Sequence, residues 1–474
     1  MSSSSLLESG GGERRREGWW RRFLDAEEAK GQLLFALPMI LTNMCYYAVT
    51  LVSVMFAGHL GDVELAGATL GNSWGTVTGL ALMTGLSGAL ETLCGQGFGA
   101  KLYRMLGIYL QSSVIITTCF SILVSILWYC SETLLIWLHQ EPEVSKMAGL
   151  YLRYLIPGLF AYGYLQCIMR FLQTQTVVMP LVVCSVLPLI FHVGITYLLI
   201  HVLGLGFKGT SLAGSISLWL SFLMLALYVN YAEKFKSTWE GFSMESFQFV
   251  IPSLRLAVPS AVMVCLEYCA FEILVLLAGL MPNSELSTSV VAMCVNTEAI
   301  SYMITYGFSA VVSTRVSNEI GAGNTEKAKN AVAVTLKLSV LLALTIVLLL
   351  VFGHNIWASF FSSSYAIIRK FAYMTPLLTV SIVLDSAQGV LSGVSRGCGW
   401  QHLAAWANLV AFYIIGMPFA LLFGFKLGFH DKGLWMGLIC GLFCQASTLL
   451  VITLRTKWTR LDLQVKDKQN YVLV

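Results

Sequence analysis

Twelve apolar stretches, each long enough to cross a bilayer as a helix, follow one another along this chain with only short polar breaks. They fall at about 32–57, 65–93, 105–130, 147–169, 177–203 and 210–231, and again at 250–280, 286–313, 328–353, 367–394, 401–424 and 433–454. A span needs about 20 apolar residues at ~1.5 Å of rise each. In hydrocarbon every backbone N–H and C=O must be paired, so runs of this kind fold as helices. Of 474 residues 57% are hydrophobic and 11% charged, where a soluble domain carries about 25% charge. That composition excludes a soluble globular protein and predicts an all-α integral membrane protein.

The basic residues test the count of twelve. With the breaks sorted alternately to two sides, 22 of the 29 Lys and Arg fall on the side of both tails. A bias of this size predicts cytoplasmic termini and an even number of spans. The expected division is a cytoplasmic tail over 1–30, a first lobe over 31–231, a polar linker over 232–248, a second lobe over 249–455 and a cytoplasmic tail over 456–474. Within the first tail no cleavable signal peptide is read, and Trp19, Trp20 and Phe23 among five arginines suggest a segment lying on an anionic inner leaflet. The formal net charge of +4 is spread over many breaks and points to no nucleic-acid partner.

The two halves look duplicated. Pro38 in FALP and Pro259 in LAVP are 221 positions apart, and GLSGALETLCGQGFGA from Gly85 aligns with GFSAVVSTRVSNEIGA from Gly307 at an offset of 222. Tyr154 and Pro157 align with Tyr373 and Pro376 at 219. Near-equal offsets in the same order predict two pseudo-symmetric six-helix lobes. Six is even, so both copies enter from one side, and a cleft is left between them.

Glu267 lies near the middle of the seventh span, and Asp385 near the middle of the tenth. Carboxyl groups at that depth cost several kcal/mol unless protonated, paired or facing water, and chains that keep them there use them on ion or substrate pathways. A structural hydrogen bond between helices is the alternative. Glu272 stands five residues beyond Glu267, about 140° round the helix, so the two acids cannot share a face. Asn296 and Glu298 fall in the first half of the eighth span, and Tyr302 and Tyr306 follow Glu298 at i+4 and i+8 on nearly one face. Burial disfavours the charged form of an acid, so Glu267 and Asp385 are candidates to take up and release a proton, with sodium as the other candidate ion. Tyr268, Tyr302 and Tyr306 are candidate cation–π partners. Glu91 and Glu319 lie near span ends, where a helix–loop hydrogen bond is expected. Pro38 is either a hinge or a proline tolerated early in its span.

Enzyme signals are weak. Neither GxxxxGK[ST] nor HExxH occurs, and GVSRG at 393–397 ends an apolar helix without a preceding strand. The seven histidines have no ligand spacing, and the twelve cysteines include no CxxC pair, so neither metal nor cofactor is expected.

FALPMI, AGHLGDVELAG, ALETLCGQGFGA, LEYCAFE and RVSNEIGAGN, in this order, resemble the multidrug and toxic compound extrusion (MATE) transporters, above all their eukaryotic, plant-like branch. The resemblance covers about residues 30–455. It implies twelve transmembrane helices in two lobes forming a V, and export of organic compounds in exchange for protons. By position, Glu267 and Glu272 match the two acids of the seventh span, and Asp385 the acid of the tenth. Asn296 and Glu298 match cavity-lining positions, and Pro38 the proline linked to bending of the first helix. Ser53 departs from the aspartate that many bacterial relatives carry, which moves expected proton coupling to the second lobe. The expected activity is antiport of amphipathic organic cations by a monomer in the plasma or vacuolar membrane, driven by the proton gradient. A lipid-linked precursor flippase, an integral membrane transferase and a channel are the competing readings.

Overall fold

The computed structural model describes residues 25–362, 364–456 and 458. Trp19, Trp20 and Phe23 lie outside the described residues, as does the C-terminal tail beyond Trp458. The first six long helices are α1 (Ala26–Gly58), α2 (Asp62–Gly99), α3 (Tyr103–Tyr129), α4 (Pro142–Thr174), α5 (Met179–Val202) and α6 (Phe207–Tyr231). The second six are α7 (Val250–Ala278), α8 (Ser284–Gly321), α9 (Thr325–Ser359), α10 (Tyr365–Cys398), α11 (Gln401–Lys426) and α12 (His430–Arg455). The twelve expected spans are all present as helices.

Eleven of these helices are long and apolar enough to cross a membrane by composition alone, and α8 is the exception. Six of its polar residues face protein: Thr297, Glu298, Ser301, Thr305, Ser309 and Ser313 are buried. The whole molecule inverts the burial pattern of a soluble protein. Leu34, Ile126 and Leu349 are each more than 60% exposed, while Glu91 and Arg170 are at most 1% exposed. Apolar cores are still buried within each lobe, with buried polar groups lying among them.

Local chemistry sets the ends. Asp25 caps α1 by accepting the Glu28 N–H at 3.3 Å. Pro142 opens α4, where its missing N–H costs nothing. α10 stops at Cys398 because Gly399 takes a left-handed φ of 82°. The connection between α6 and α7 contains two short 3₁₀ turns, Glu233–Phe235 and Met244–Phe249, and is pinned to the bundle by Gln111 and Gln175.

The lobes meet by reciprocal packing. A Cβ on Gly99 of α2 would strike the Asn318 backbone of α8, and one on Gly321 of α8 would strike the Gln96 backbone of α2. Gly99 and Gly321 differ by 222 positions, as do Gln96 and Asn318. The same exchange recurs deeper, where Gly85 of α2 lies against Ala261 of α7, and its counterpart Gly307 of α8 against Ile40 of α1. Each contact is thus the image of another about a pseudo-twofold axis between α2 and α8. Small residues let the backbones approach, as they do between helices in membranes generally. These approaches lie toward the face that carries both described chain ends.

Candidate functional site

The second-lobe acids are brought together. Glu267 projects from α7 and Asp385 from α10, and the side-chain amide of Gln388, one turn further along α10, donates to both. Both N–H···O distances are 2.8 Å. Ser392, a further turn on, donates to the Gln388 carbonyl oxygen at 3.1 Å. Glu267, Asp385 and Gln388 are buried. Asn408 of α11 donates to the Met263 carbonyl at 2.9 Å and accepts from Gln445 of α12 at 2.8 Å, which braces α7 from behind.

Glu298 of α8 joins from the side, accepting the Ser381 hydroxyl of α10 at 2.6 Å, and Trp435 of α12 donates to the same hydroxyl at 3.1 Å. Asn296 does not join it. It is exposed, on the opposite face of α8. Two residues are about 200° of helix, so the two side chains leave α8 in nearly opposite directions. Glu272 is half-buried on another face of α7 from Glu267, opposite Ser73 of α2.

A second polar cluster lies between the lobes. Glu91 of α2 accepts from Arg396 of α10 at 3.0 Å and forms an ion pair with Arg170 of α4 at 3.1 Å, whose Nη1 donates to Gln173. Arg396 also donates to Ser309 of α8 at 2.7 Å, and Arg170 donates to the Tyr306 hydroxyl. Both guanidiniums lie by the Tyr306 ring, 5.3 and 5.9 Å from its centroid. Gln173 adds a bond to the Ala310 carbonyl at 3.0 Å, and Thr92 donates to the Arg396 carbonyl. Glu91 therefore makes no helix–loop bond. It is the anion of a buried triad spanning both lobes. Glu319 does meet a loop residue, accepting from Asn324 at 3.0 Å. The sequence reading missed the triad because it ended the fourth and tenth spans at 169 and 394. Both helices run several residues further and take Arg170 and Arg396 inside.

With this geometry in view, the comparisons with known proteins are decisive. The MatE family profile matches residues 38–198 and 259–422, one segment in each half. The chain belongs to the MATE family. Protein DETOXIFICATION 18 of Arabidopsis thaliana is 60% identical over 441 residues, covering 93% of this chain and 94% of the relative. Protein DETOXIFICATION 16 of the same plant is 44% identical, covering 94% and 91%. The crystal structure of the eukaryotic MATE transporter AtDTX14 superposes with a TM-score of 0.90 at 35% identity, covering 94% of this chain and 99% of that one. This is a plant-type multidrug and toxic compound extrusion transporter, a multi-pass membrane protein of twelve helices in two lobes.

In this MATE transporter the first lobe has no acid at Ser53. The Ser53 hydroxyl lies 3.1 Å from His192 Nε2 of α5, and Nδ1 lies 2.9 Å from Ser217 of α6. Ser217 spends its own proton on the Ala213 carbonyl, so Nδ1 carries the ring hydrogen and Ser53 donates to Nε2. Hydroxyl, neutral imidazole and hydroxyl tie three helices together. Pro38 sits inside α1 and is buried; its missing N–H leaves the carbonyl four residues earlier without a helical donor.

Proposed function

We propose that this transporter is a proton-coupled antiporter that exports amphipathic organic cations by alternating access. The observation that carries the reading is the pair of buried acids on two helices of the second lobe, joined by one amide, at the depth where a charge is costly. Loading protons from the acidic side neutralises Glu267 and Asp385 and releases a bound cation. Losing them to the other side restores an anionic site. The names of the DETOXIFICATION relatives and the eukaryotic MATE structure support export of foreign or toxic organic compounds. The termini are assigned to the cytoplasm from the distribution of Lys and Arg, the membrane is the plasma or vacuolar membrane, and the monomer is taken as the working unit.

Alternating access needs a side that is closed and able to open. Glu91, Arg170 and Arg396, with the glycine contacts of α2 and α8, supply the closed side here, toward the termini. Tyr268 and Tyr302 lie near both acids, and we assign them to contact with a substrate cation. Tyr306 already faces two arginines of the protein itself, so we assign it to the closure and not to substrate.

The test is uptake of a fluorescent organic cation into proteoliposomes under an imposed pH gradient, with wild type, Glu267→Gln and Asp385→Asn. Gradient-driven uptake lost in both variants supports the reading. Uptake driven equally by a sodium gradient replaces the coupling ion, and gradient-independent flux or full activity in both variants overturns the mechanism.

A further inference from the structure

We propose that Gln388 is the positioning residue of the acid pair: its amide holds Oε1 of Glu267 and Oδ1 of Asp385, so that the protons load on Oε2 and Oδ2. This rests on the proton-coupling reading above. A glutamine has two N–H donors, and here both are used, one on each acid at 2.8 Å. Its carbonyl is used as well, accepting from Ser392 at 3.1 Å. Turning the amide over would aim its carbonyl at two carboxyl oxygens and lose the Ser392 bond, so the network permits one orientation. Gln388 is fully buried, and in hydrocarbon an amide left without these partners would cost several kcal/mol.

The two bonds differ in what they connect. Asp385 and Gln388 are i and i+3 on α10, so that bond stays intact when α10 moves as a body. The bond to Glu267 crosses to α7. Any shift of α7 past α10 must break it or carry the amide along, which ties the spacing of the helices to the state of the acids. A carboxyl group in its acid form has one carbonyl oxygen and one hydroxyl. With an N–H donor fixed on Oε1 and on Oδ1, those oxygens take the carbonyl role and the proton goes to the other.

The charged and titratable groups that face the pair are Glu298 and Tyr302 of α8, Tyr268 of α7 and Arg396 of α10, with Tyr162 of α4 and Tyr306 of α8 beside Tyr268. α11 and α12 bring the amides of Asn408 and Gln445. Among the described residues only Gln388 donates to both acids at once.

The experiment is pH-difference infrared spectroscopy on the full chain in lipid nanodiscs. Carboxylic C=O bands that appear on acidification are assigned by their loss in Glu267→Gln and Asp385→Asn. Gln388→Leu is expected to move both bands to higher frequency, because each C=O loses its N–H donor, while the thermal unfolding midpoint reports that the variant is folded. Bands that stay in place in folded Gln388→Leu, or movement of the Asp385 band alone, overturn the proposal. Where the leucine variant does not fold, Gln388→Asn replaces it: an amide one methylene shorter must still move the Glu267 band, and an unmoved Glu267 band overturns the proposal. If wild type gives no pH-sensitive band that either acid variant removes, the proton-coupling reading itself fails. Bands present but insensitive to residue 388 sink the role of Gln388 alone.

Discussion

Glu91 and Arg396, 305 positions apart in the chain, meet at 3.0 Å across the line between the two lobes. The carboxylate has Arg170 on its other oxygen at 3.1 Å, so one anion holds two cations in a fully buried site. The arrangement is strong only while all three members are present, because removing one partner leaves an uncompensated charge away from water.

Glu91→Ala is therefore expected to cost about 3–5 kcal/mol, the range for breaking a buried ion pair. It should also open the face that carries the chain ends. The check is thermal unfolding together with maleimide labelling of Ser317→Cys, a position buried against Gly95. The exposed native cysteines Cys119 and Cys130 are replaced beforehand. Faster labelling in the Glu91→Ala background is expected, and equal labelling would remove the triad from the closure.

The reciprocal glycines give a symmetric prediction. Gly99→Ala and Gly321→Ala each drive a methyl group into the facing backbone, at Asn318 and Gln96 respectively. Overpacking of this kind costs roughly 1–3 kcal/mol. Because the two sites are images of each other, their unfolding midpoints should fall by similar amounts. A large drop in one variant and none in the other would show that the pseudo-twofold contact is not balanced.

Much of the architecture was legible in the sequence because hydrophobic length, the sidedness of Lys and Arg and a charge inside an apolar run are signals along one dimension. Glu267 and Asp385 stood out in that way, each an acid in a run of apolar residues. Gln388 did not, since a neutral amide barely disturbs hydropathy, and its importance comes from a partner on another helix 121 positions away. Arg170 and Arg396 were hidden for the opposite reason. Charges near a span end read as loop residues, and only the packing of α4 and α10 against the other lobe shows that water is excluded there. Asn296 was grouped with Glu298 because both match positions implied by the family resemblance, and helical rotation turns the two side chains about 200° apart.

The first-lobe brace at Ser53 predicts a stability effect without a coupling effect. Ser53→Ala removes the hydroxyl that His192 Nε2 accepts from at 3.1 Å and leaves the buried nitrogen only the more distant Thr196 hydroxyl at 3.5 Å. The expected cost is about 1–3 kcal/mol. Thermal unfolding reads the loss, while the proton dependence of uptake in proteoliposomes should stay as in wild type. A changed proton dependence would assign a coupling role to the first lobe.

Asp25 gives the pH prediction. Its carboxyl accepts the Glu28 backbone N–H at 3.3 Å and the Asn330 side-chain amide at 3.1 Å, joining the start of α1 to α9 of the other lobe. These bonds, the Glu28 N–H foremost, hold its pKa below the usual aspartate value. A lowered carboxyl stabilises the folded state fully above its unfolded value, about 3.9, and that contribution is lost as pH falls through the lower folded value. Wild type should therefore lose more stability than Asp25→Asn between about pH 5 and 3, since asparagine has no charge to lose. Asp25→Ala should cost about 1 kcal/mol at neutral pH as a lost cap. Thermal unfolding of the three proteins across that pH range decides it: parallel curves for wild type and Asp25→Asn would mean that the cap works without its charge.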